Sequence, residues 1–246
     1  MPYRHVTYRT DNSDLAPGVV LRSAPGHPGF PVRLASELLL RAREYLGSDP
    51  LHLWDPCCGS GYLLTVLALA QRRHVASVFA SDIDRDALGL ATQNLALLAD
   101  DGLEQRARAL QHDADRLGKP SLMERARAAH RLAALRAATG GAVPYALRPQ
   151  DVFAPETTPA AVDVVCTDVP YGTLTDWSGA VPNPQAPIRG LVRQLAHTVP
   201  PHAVLVVVAR TRKIVLPPAL QPLQRVRLGA RAAVLVRAGD AAETLD

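Results

Sequence analysis

Short apolar runs alternate along the chain with longer segments whose apolar positions have helical spacing. The apolar runs cover residues 51–54, 75–80, 162–167 and 203–209. Runs of this length that are predominantly apolar, rather than alternating, are typical of strands buried on both faces of a parallel sheet. The alternation of such strands with helical segments predicts an α/β fold.

Helical segments are predicted between and around these strands, at residues 30–46, 62–70, 85–100, 121–139 and 188–199. In the first segment Leu34, Leu38 and Ala42 share one face, and Arg41 and Glu44 are expected to point away from it. In the fourth segment the positions expected to face inward are Leu122, Ala126, Ala129, Leu132 and Leu135.

The two ends of the chain have a different pattern. Several Pro-Gly pairs interrupt residues 1–29, which predicts an irregular arm with at most a short strand at residues 19–21. Residues 226–236 are expected to close the sheet as part of a hairpin. We expect one domain over residues 1–246, with an arm and helix at residues 1–50 and a helical insertion at residues 104–146.

The centre of the pattern is the stretch LWDPCCGSGY, residues 53–62. Asp55 follows a predicted buried strand, and Gly59 and Gly61 form a tight turn before the next helix. Glycines in such a turn allow a ligand to approach the backbone, and the helix end offers unpaired N–H groups. A strand, a glycine turn and a helix in this order form the front of many nucleotide-cofactor sites.

Further acids follow the other predicted strands. Asp82 lies where a ribose-binding carboxylate is expected after one βα unit, and Asp84 is placed to cap the next helix. The end of the third strand is ambiguous, because both Asp113 and Asp151 qualify. The spacing to Asp168 and the strand-like residues before Asp151 favour Asp151.

Asp168 begins the stretch DVPYG after another apolar run. With the glycine turn and Asp82, this stretch resembles the Rossmann-like S-adenosylmethionine-dependent methyltransferases. It is similar to the [N/D]-P-P-[Y/F/W] signature of members that methylate exocyclic amines of bases. The glycine turn, this stretch and the chain length are most similar to the avilamycin-resistance methyltransferases, which modify a guanine of 23S ribosomal RNA.

The resemblance implies a mostly parallel seven-stranded sheet with helices on both faces, together with S-adenosyl-L-methionine as cofactor. It implies a cofactor site made from Asp55, Cys57, Gly59, Gly61, Asp82 and Asp151. It also implies that Asp168 and the Pro170 carbonyl hold the target amine while Tyr171 stacks on the base. Val169 replaces the usual second proline of the signature, so a ring nitrogen of guanine is the alternative target.

Composition adds a few limits. The chain of 246 residues has 48% hydrophobic content, without an apolar run of membrane-spanning length or a signal-peptide pattern. Three cysteines without spaced partners predict neither a disulfide framework nor a zinc site, so we expect a protein of the reducing cytoplasm.

The net charge of +4 is compatible with a polyanionic partner. Residues 104–148 contain nine basic and four acidic residues, a net charge of +5. One hypothesis is that this segment holds phosphates of 23S rRNA or of the large ribosomal subunit; the alternative is an ordinary solvated helix face. A methyltransferase of DNA, tRNA or a small-molecule amine is the alternative function, because a fold does not fix a substrate.

Overall fold

The structure is a computed structural model that describes residues 3–26, 29–169, 177, 179, 181, 186–218 and 220–240. The strands are β1 (Leu51–Asp55), β2 (Val75–Asp82), β3 (Tyr145–Pro149), β4 (Val164–Asp168), β5 (Val204–Ala209), β6 (Gln224–Leu228) and β7 (Arg231–Arg237). The helices are α1 (Val32–Arg43), α2 (Tyr62–Ala70), α3 (Arg85–Leu95), α4 (Gly102–Leu117), α5 (Pro120–Thr139) and α6 (Pro187–Thr198).

The seven strands form one sheet in the order β3-β2-β1-β4-β5-β7-β6. Strands β1 to β5 pair in parallel, whereas β7 is antiparallel to β5 and to β6. The chain leaves β1 toward β2 on one side and returns to β4 on the other. Such a reversal opens a crevice at the carboxyl ends of the strands, where α/β proteins bind ligands. The expected seven-stranded, mostly parallel sheet is confirmed.

Helices lie on both faces of the sheet, but unequally. One hydrophobic core contains side chains from α1 to α5 together with Leu53, Val164 and Val206 from the strands. The other contains α6 with Trp54 and Val165, the neighbours of Leu53 and Val164 along their strands. This alternation buries both faces of the central strands, which is why their sequences are almost continuously apolar. No helix in the described part of the chain is long and apolar enough to span a membrane.

The helices differ from the prediction in two places. Residues 102–117 form α4, a further helix within the predicted helical insertion, and Asp113 therefore lies on a helix rather than after a strand. In α5, Leu135 is 49% exposed instead of facing inward, whereas the smaller Ala129 and Ala133 are buried.

Arg41 is the third correction. Its side chain is fully buried in α1, next to Glu37 one turn earlier, and the two form an ion pair at 2.7 Å. Glu37 also accepts backbone N–H groups of Arg4 at 2.7 Å and of His5 and Val6 at 3.0 Å. The buried carboxylate thus fixes the amino-terminal arm on α1.

The arm is otherwise irregular, as expected, and residues 19–21 do not form a strand. The Gly18 N–H donates to the Leu21 carbonyl within a turn, while the Val20 carbonyl accepts the Arg106 side chain at 3.1 Å. The backbone groups that a strand would pair with a neighbour are therefore used by a turn and a side chain. Val20 and Leu21 are apolar because they are buried in the core, not because they belong to the sheet.

Candidate active site

The glycine turn, residues 56–61, joins β1 to α2 at the reversal point of the sheet. Asp55 ends β1 and accepts the Cys57 N–H at 3.1 Å. The Cys58 N–H donates to the Ser81 carbonyl at 3.0 Å, and the Gly59 N–H donates to the Asp82 carboxylate at 2.7 Å. These bonds hold the turn against the end of β2, so the acids of two strands lie at one place.

Gly61 can be only glycine without distortion. Its φ is 69°, and a Cβ there would lie 3.2 Å from Cα of Ala91 on α3. Gly61 precedes the first residue of α2, and no side chain caps that helix end. The amino terminus of α2, with its unpaired N–H groups, is therefore available to a ligand beside the turn.

Asp82 and Asp84 have different hydrogen-bond partners, as the roles expected of them require. The Asp84 carboxylate caps α3 by accepting the N–H groups of Asp86 and Ala87, which confirms the predicted cap. Asp82 accepts the N–H groups of Gly59 and Asp84 at 2.7 and 2.9 Å. A carboxylate fixed by two backbone donors keeps further lone pairs for hydroxyl groups of a ligand.

Asp151 comes just after β3, and its carboxylate accepts the Phe153 N–H at 2.9 Å. The backbone of Gly179, with φ of 85°, lies against this carboxylate and Ile83, so closely that a Cβ on Gly179 would collide with both. Asp113 instead forms an ion pair with Arg116 at 3.1 Å on the exposed side of α4. Asp151, not Asp113, therefore lies at the edge of the sheet with the other acids.

Asp168 ends β4 at the same edge as Asp55. Val169 after it is fully buried, and its N–H donates to the Val208 carbonyl at 3.0 Å. This burial explains why an apolar residue follows Asp168. Pro170 and Tyr171, the other predicted catalytic residues, lie outside the described residues.

The aromatic ring of Trp177, between β4 and α6, has two conceivable roles: stacking on RNA or packing within the protein. Its ring is partly buried and lies 5.9 Å, between centroids, from the ring of Phe153. Packing is the interpretation that this contact supports.

The acids at this edge act on one another. Burial raises the pKa of Asp55 to about 8; Thr167 and the Cys57 N–H act in the opposite direction, and the charges of Asp82 and Asp168 raise the pKa further. Burial also raises the pKa of Asp82, although the N–H groups of Asp84 and Gly59 act to lower it. Crowded carboxylates with raised pKa values are stabilised by a cationic ligand.

The cysteines of the glycine turn have no nucleophilic character. Burial, followed by the negative charge of Asp55, raises the pKa of both Cys57 and Cys58 well above the usual thiol value. Both thiols stay protonated at neutral pH, whereas nucleophilic cysteines are thiolates. Their side chains pack with the hydrophobic cores instead.

Two residues that the sequence analysis missed join the arm to the glycine turn. The buried side chain of Asn94 on α3 donates to the carbonyls of Ser60 and Arg22 at 2.9 and 3.0 Å and accepts the Arg22 N–H at 2.7 Å. The Tyr62 hydroxyl donates to the Leu15 carbonyl at 2.6 Å. The only available signal was a polar residue on the apolar face of α3.

The arrangement fits a methyl donor of the sulfonium type. Its carboxylates, buried together at the strand ends, suit positive charge and ribose hydroxyls. The glycine turn leaves room where a Cβ would intrude, and the uncapped start of α2 supplies N–H donors. Asp55, Cys57, Gly59, Gly61, Asp82 and Asp151 are the residues that would line such a site.

A relative from Streptomyces viridochromogenes matches almost the whole of this chain. It is 52% identical over 247 residues, which cover 98% of each chain, and is named 23S rRNA (guanine(2535)-N(1))-methyltransferase. Residues 1–231 match the family described as rRNA methyltransferase AviRa. This protein belongs to the AviRa family.

Solved structures of AviRa agree with this assignment. Two crystal structures of the rRNA methyltransferase AviRa from S. viridochromogenes are 51% identical to this chain and cover 100% of both chains. Their TM-scores are 0.92 and 0.91. The resemblance inferred from the glycine turn and the DVPYG stretch is confirmed, and the chain is an enzyme of a methyltransferase family.

Proposed function

We propose that this protein transfers a methyl group from S-adenosyl-L-methionine to a guanine of 23S rRNA. The observation that carries the proposal is the meeting of Asp55, Asp82 and Asp168 at the strand ends, beside a glycine turn and an uncapped helix. The AviRa relative, named for methylating guanine N(1) in 23S rRNA, supports the choice of substrate and of the ring nitrogen over the exocyclic amine.

The cofactor would supply a methyl group activated on a sulfonium. Asp82 would accept hydrogen bonds from its ribose hydroxyls, Asp151 would contact the adenine, and the glycine turn would admit the rest close to the backbone. The cationic part would lie beside Asp55 and would lower the raised pKa of this carboxyl, so that its charged form faces the cation. Since the donor is already activated, the protein mainly has to orient the two reactants and exclude water.

Asp168 would act on the target base. Guanine N1 bears a proton that must leave when the methyl group arrives, and a carboxylate within hydrogen-bond reach can accept it. For the alternative target, the exocyclic amine, Asp168 and the Pro170 carbonyl would instead hold its two hydrogens. Tyr171 would stack on the base, which has to leave its helical stack before it can reach the site.

The direct test is transfer of labelled methyl from S-adenosyl-L-methionine to unmodified 23S rRNA, 16S rRNA, tRNA and duplex DNA in parallel. We expect label in 23S rRNA alone. Reverse transcription of the product would then stop at the modified guanine, because an N1-methyl group blocks the base-pairing edge. Label confined to tRNA or DNA would identify that nucleic acid as the substrate instead. Label in no nucleic acid would leave a small-molecule amine as the remaining candidate substrate.

The biological role that we propose is resistance to an avilamycin-like antibiotic in the cytoplasm, where ribosomes are modified. Expression in a sensitive host should raise the inhibitory concentration of avilamycin. The Asp168→Ala variant should not raise it. Equal resistance from both proteins would show that resistance does not depend on methyl transfer.

A further inference from the structure

Two groups of arginines in and beside the α4–α5 region differ in their partners. Arg116 pairs with Asp113, Arg127 pairs with Glu124, and Arg131 pairs with both Glu124 and Asp14. The buried Arg136 donates to the backbone carbonyls of Leu97, Ala99 and Asp100 and lies 3.5 Å from Glu104. These four arginines are engaged within the protein.

Arg22, Arg106 and Arg125 form the other group, here called the arginine triad. They come from the arm, from α4 and from α5. No ion pair engages any of the three within the described part of the chain. The triad therefore gathers positive charge from three separate segments without an acid to neutralise it.

The positions of the triad are fixed by the fold. Both backbone groups of Arg22 are hydrogen-bonded to the Asn94 side chain, so its Cα cannot drift. The Arg106 Nε donates to the carbonyl of Val20, two residues from Arg22, at 3.1 Å. Both side chains are partly buried, so they are held in place by the protein around them.

Arg22 and Arg125 each repel the guanidinium group of Arg106. Burial lowers the pKa of Arg106 to about 10, and the charges of Arg22 and Arg125 lower it further. Asp113 is the acid that acts in the opposite direction, and it is already paired with Arg116. An anion between the three side chains would relieve this repulsion, and an arginine fork binds phosphate oxygens well.

The triad lies beside the candidate active site. Asn94 joins Arg22 directly to the Ser60 carbonyl of the glycine turn. A ligand that reaches both the triad and the methyl donor must therefore extend between them and carry an anionic group at the triad. A nucleic-acid backbone has this chemistry, with a phosphate at every nucleotide.

We propose that the arginine triad binds a backbone phosphate of the RNA substrate near the target guanine. This proposal rests on the proposed function. It replaces the broader hypothesis that the whole insertion holds phosphates, because Arg127 and Arg131 are neutralised by acids. It also assigns to Asn94 a positioning role, since its side chain sets the distance between the phosphate contact and the glycine turn.

The test compares single substitutions in the full-length protein. Arg125→Gln removes a triad charge from an exposed position, and Arg22→Gln removes another while leaving the backbone bonds to Asn94. Arg127→Gln is the matched control, because it makes the same change two residues along α5 at an arginine paired with Glu124. Binding to an unmodified 23S rRNA transcript is measured by filter retention over a series of salt concentrations.

We expect Arg22→Gln and Arg125→Gln to weaken RNA binding roughly five- to tenfold at about 0.1 M salt, as the loss of one phosphate contact should. The slope of log affinity against log salt concentration should become shallower by about 1 for each variant. The Arg127→Gln control should keep the wild-type slope. Arg125→Lys should restore most of the binding, since it restores the charge.

The outcomes separate this proposal from the proposed function. If the wild type methylates 23S rRNA but the triad variants bind it like the Arg127→Gln control, the triad proposal is overturned and the function stands. An Arg125→Lys variant as weak as Arg125→Gln would also overturn it, because charge would not be the cause. If the wild type neither binds nor methylates 23S rRNA, the function fails and the triad proposal falls with it.

Discussion

Glu37 in α1 and Asp55 at the strand ends are both buried carboxylates, but they have opposite electrostatic characters. Glu37 in α1 is surrounded by donors, namely three backbone N–H groups and the Arg41 side chain. Burial acts to raise its pKa, but these donors outweigh it and lower the pKa to about 2. At the strand ends, Asp55 lies between the strands that end in Asp82 and Asp168, whose charges act on it, and Asp55 and Asp82 both have raised pKa values.

The difference shows how a structural acid can be told from a functional one. A carboxylate whose donors are supplied by the protein is stable in its charged form and needs no ligand. When buried carboxylates are crowded together, their charged forms are unfavourable, and the rest of the fold keeps them in place. Carboxylates with raised pKa values, in a crevice at the reversal point of a sheet, are typical of binding sites.

The largest effect is expected for Asp168→Asn. Loss of the carboxylate should lower kcat for methyl transfer at least about 100-fold, because the target nitrogen loses its proton acceptor. Cofactor affinity, measured by calorimetry, should change little. Asp84→Asn is the matched control at the same edge, because asparagine also caps helices well and turnover should be preserved. Near-normal turnover by Asp168→Asn would show that Asp168 has no catalytic role.

Glu37→Gln should have no such catalytic signature but should destabilise the protein. Arg41 would remain buried without its counter-charge, and removal of one partner of a buried ion pair costs about 3 kcal/mol. Urea denaturation would measure this loss. Glu44→Gln, in which the lost pairs with Arg4 and His5 are partly exposed, should cost less than about 1 kcal/mol. Equal costs for the two variants would show that the clamp on the arm contributes little.

The smallest effect concerns the dependence of stability on pH. Asp55 has a raised pKa in the folded protein, so its stabilising contribution is present at low pH and is lost as pH rises through about 8. Asp55→Asn should therefore make the decline of the free energy of unfolding between about pH 4 and 8 shallower, by up to about 1.4 kcal/mol per pH unit. Chemical denaturation without cofactor between about pH 5 and 9 would measure this change.

Glu37 gives the opposite sign. Its pKa is lowered, so its stabilising contribution is present above the unfolded value and is lost as pH falls toward about 2. Glu37→Gln should flatten the acid side of the profile and leave the alkaline side unchanged. If Asp55→Asn instead flattened the acid side of the profile, and Glu37→Gln flattened the decline at higher pH, the roles assigned to the two acids would be reversed.

Local patterns predicted the part of the fold around the glycine turn well. Helix α2 begins and ends at the predicted residues, and Asp84 caps α3 as expected. These features depend on neighbours in sequence, namely a glycine turn, an apolar run and a capping acid. The seven-stranded sheet came from the family resemblance rather than from the residues alone.

The errors arose where contacts distant in sequence decide the outcome. Arg41 is expected on the surface because arginine is charged. Its burial depends on Glu37, whose carboxylate accepts hydrogen bonds from backbone N–H groups more than 30 positions earlier. The arm residues Val20 and Leu21 are apolar without belonging to a strand. Helix α4 could have been found, because Leu103, Ala107, Leu110 and Ala114 have helical spacing and are all buried.

The arm also has a consequence for the order of events during synthesis on the ribosome. It is made first, yet its partners are made later: Glu37, then Tyr62 and Asn94, and last Arg106 and Arg131. The opening segment of the chain must therefore wait until residue 131 has emerged before all its contacts can form. A segment made before its partners therefore completes its contacts only after more than half of the chain has been synthesised.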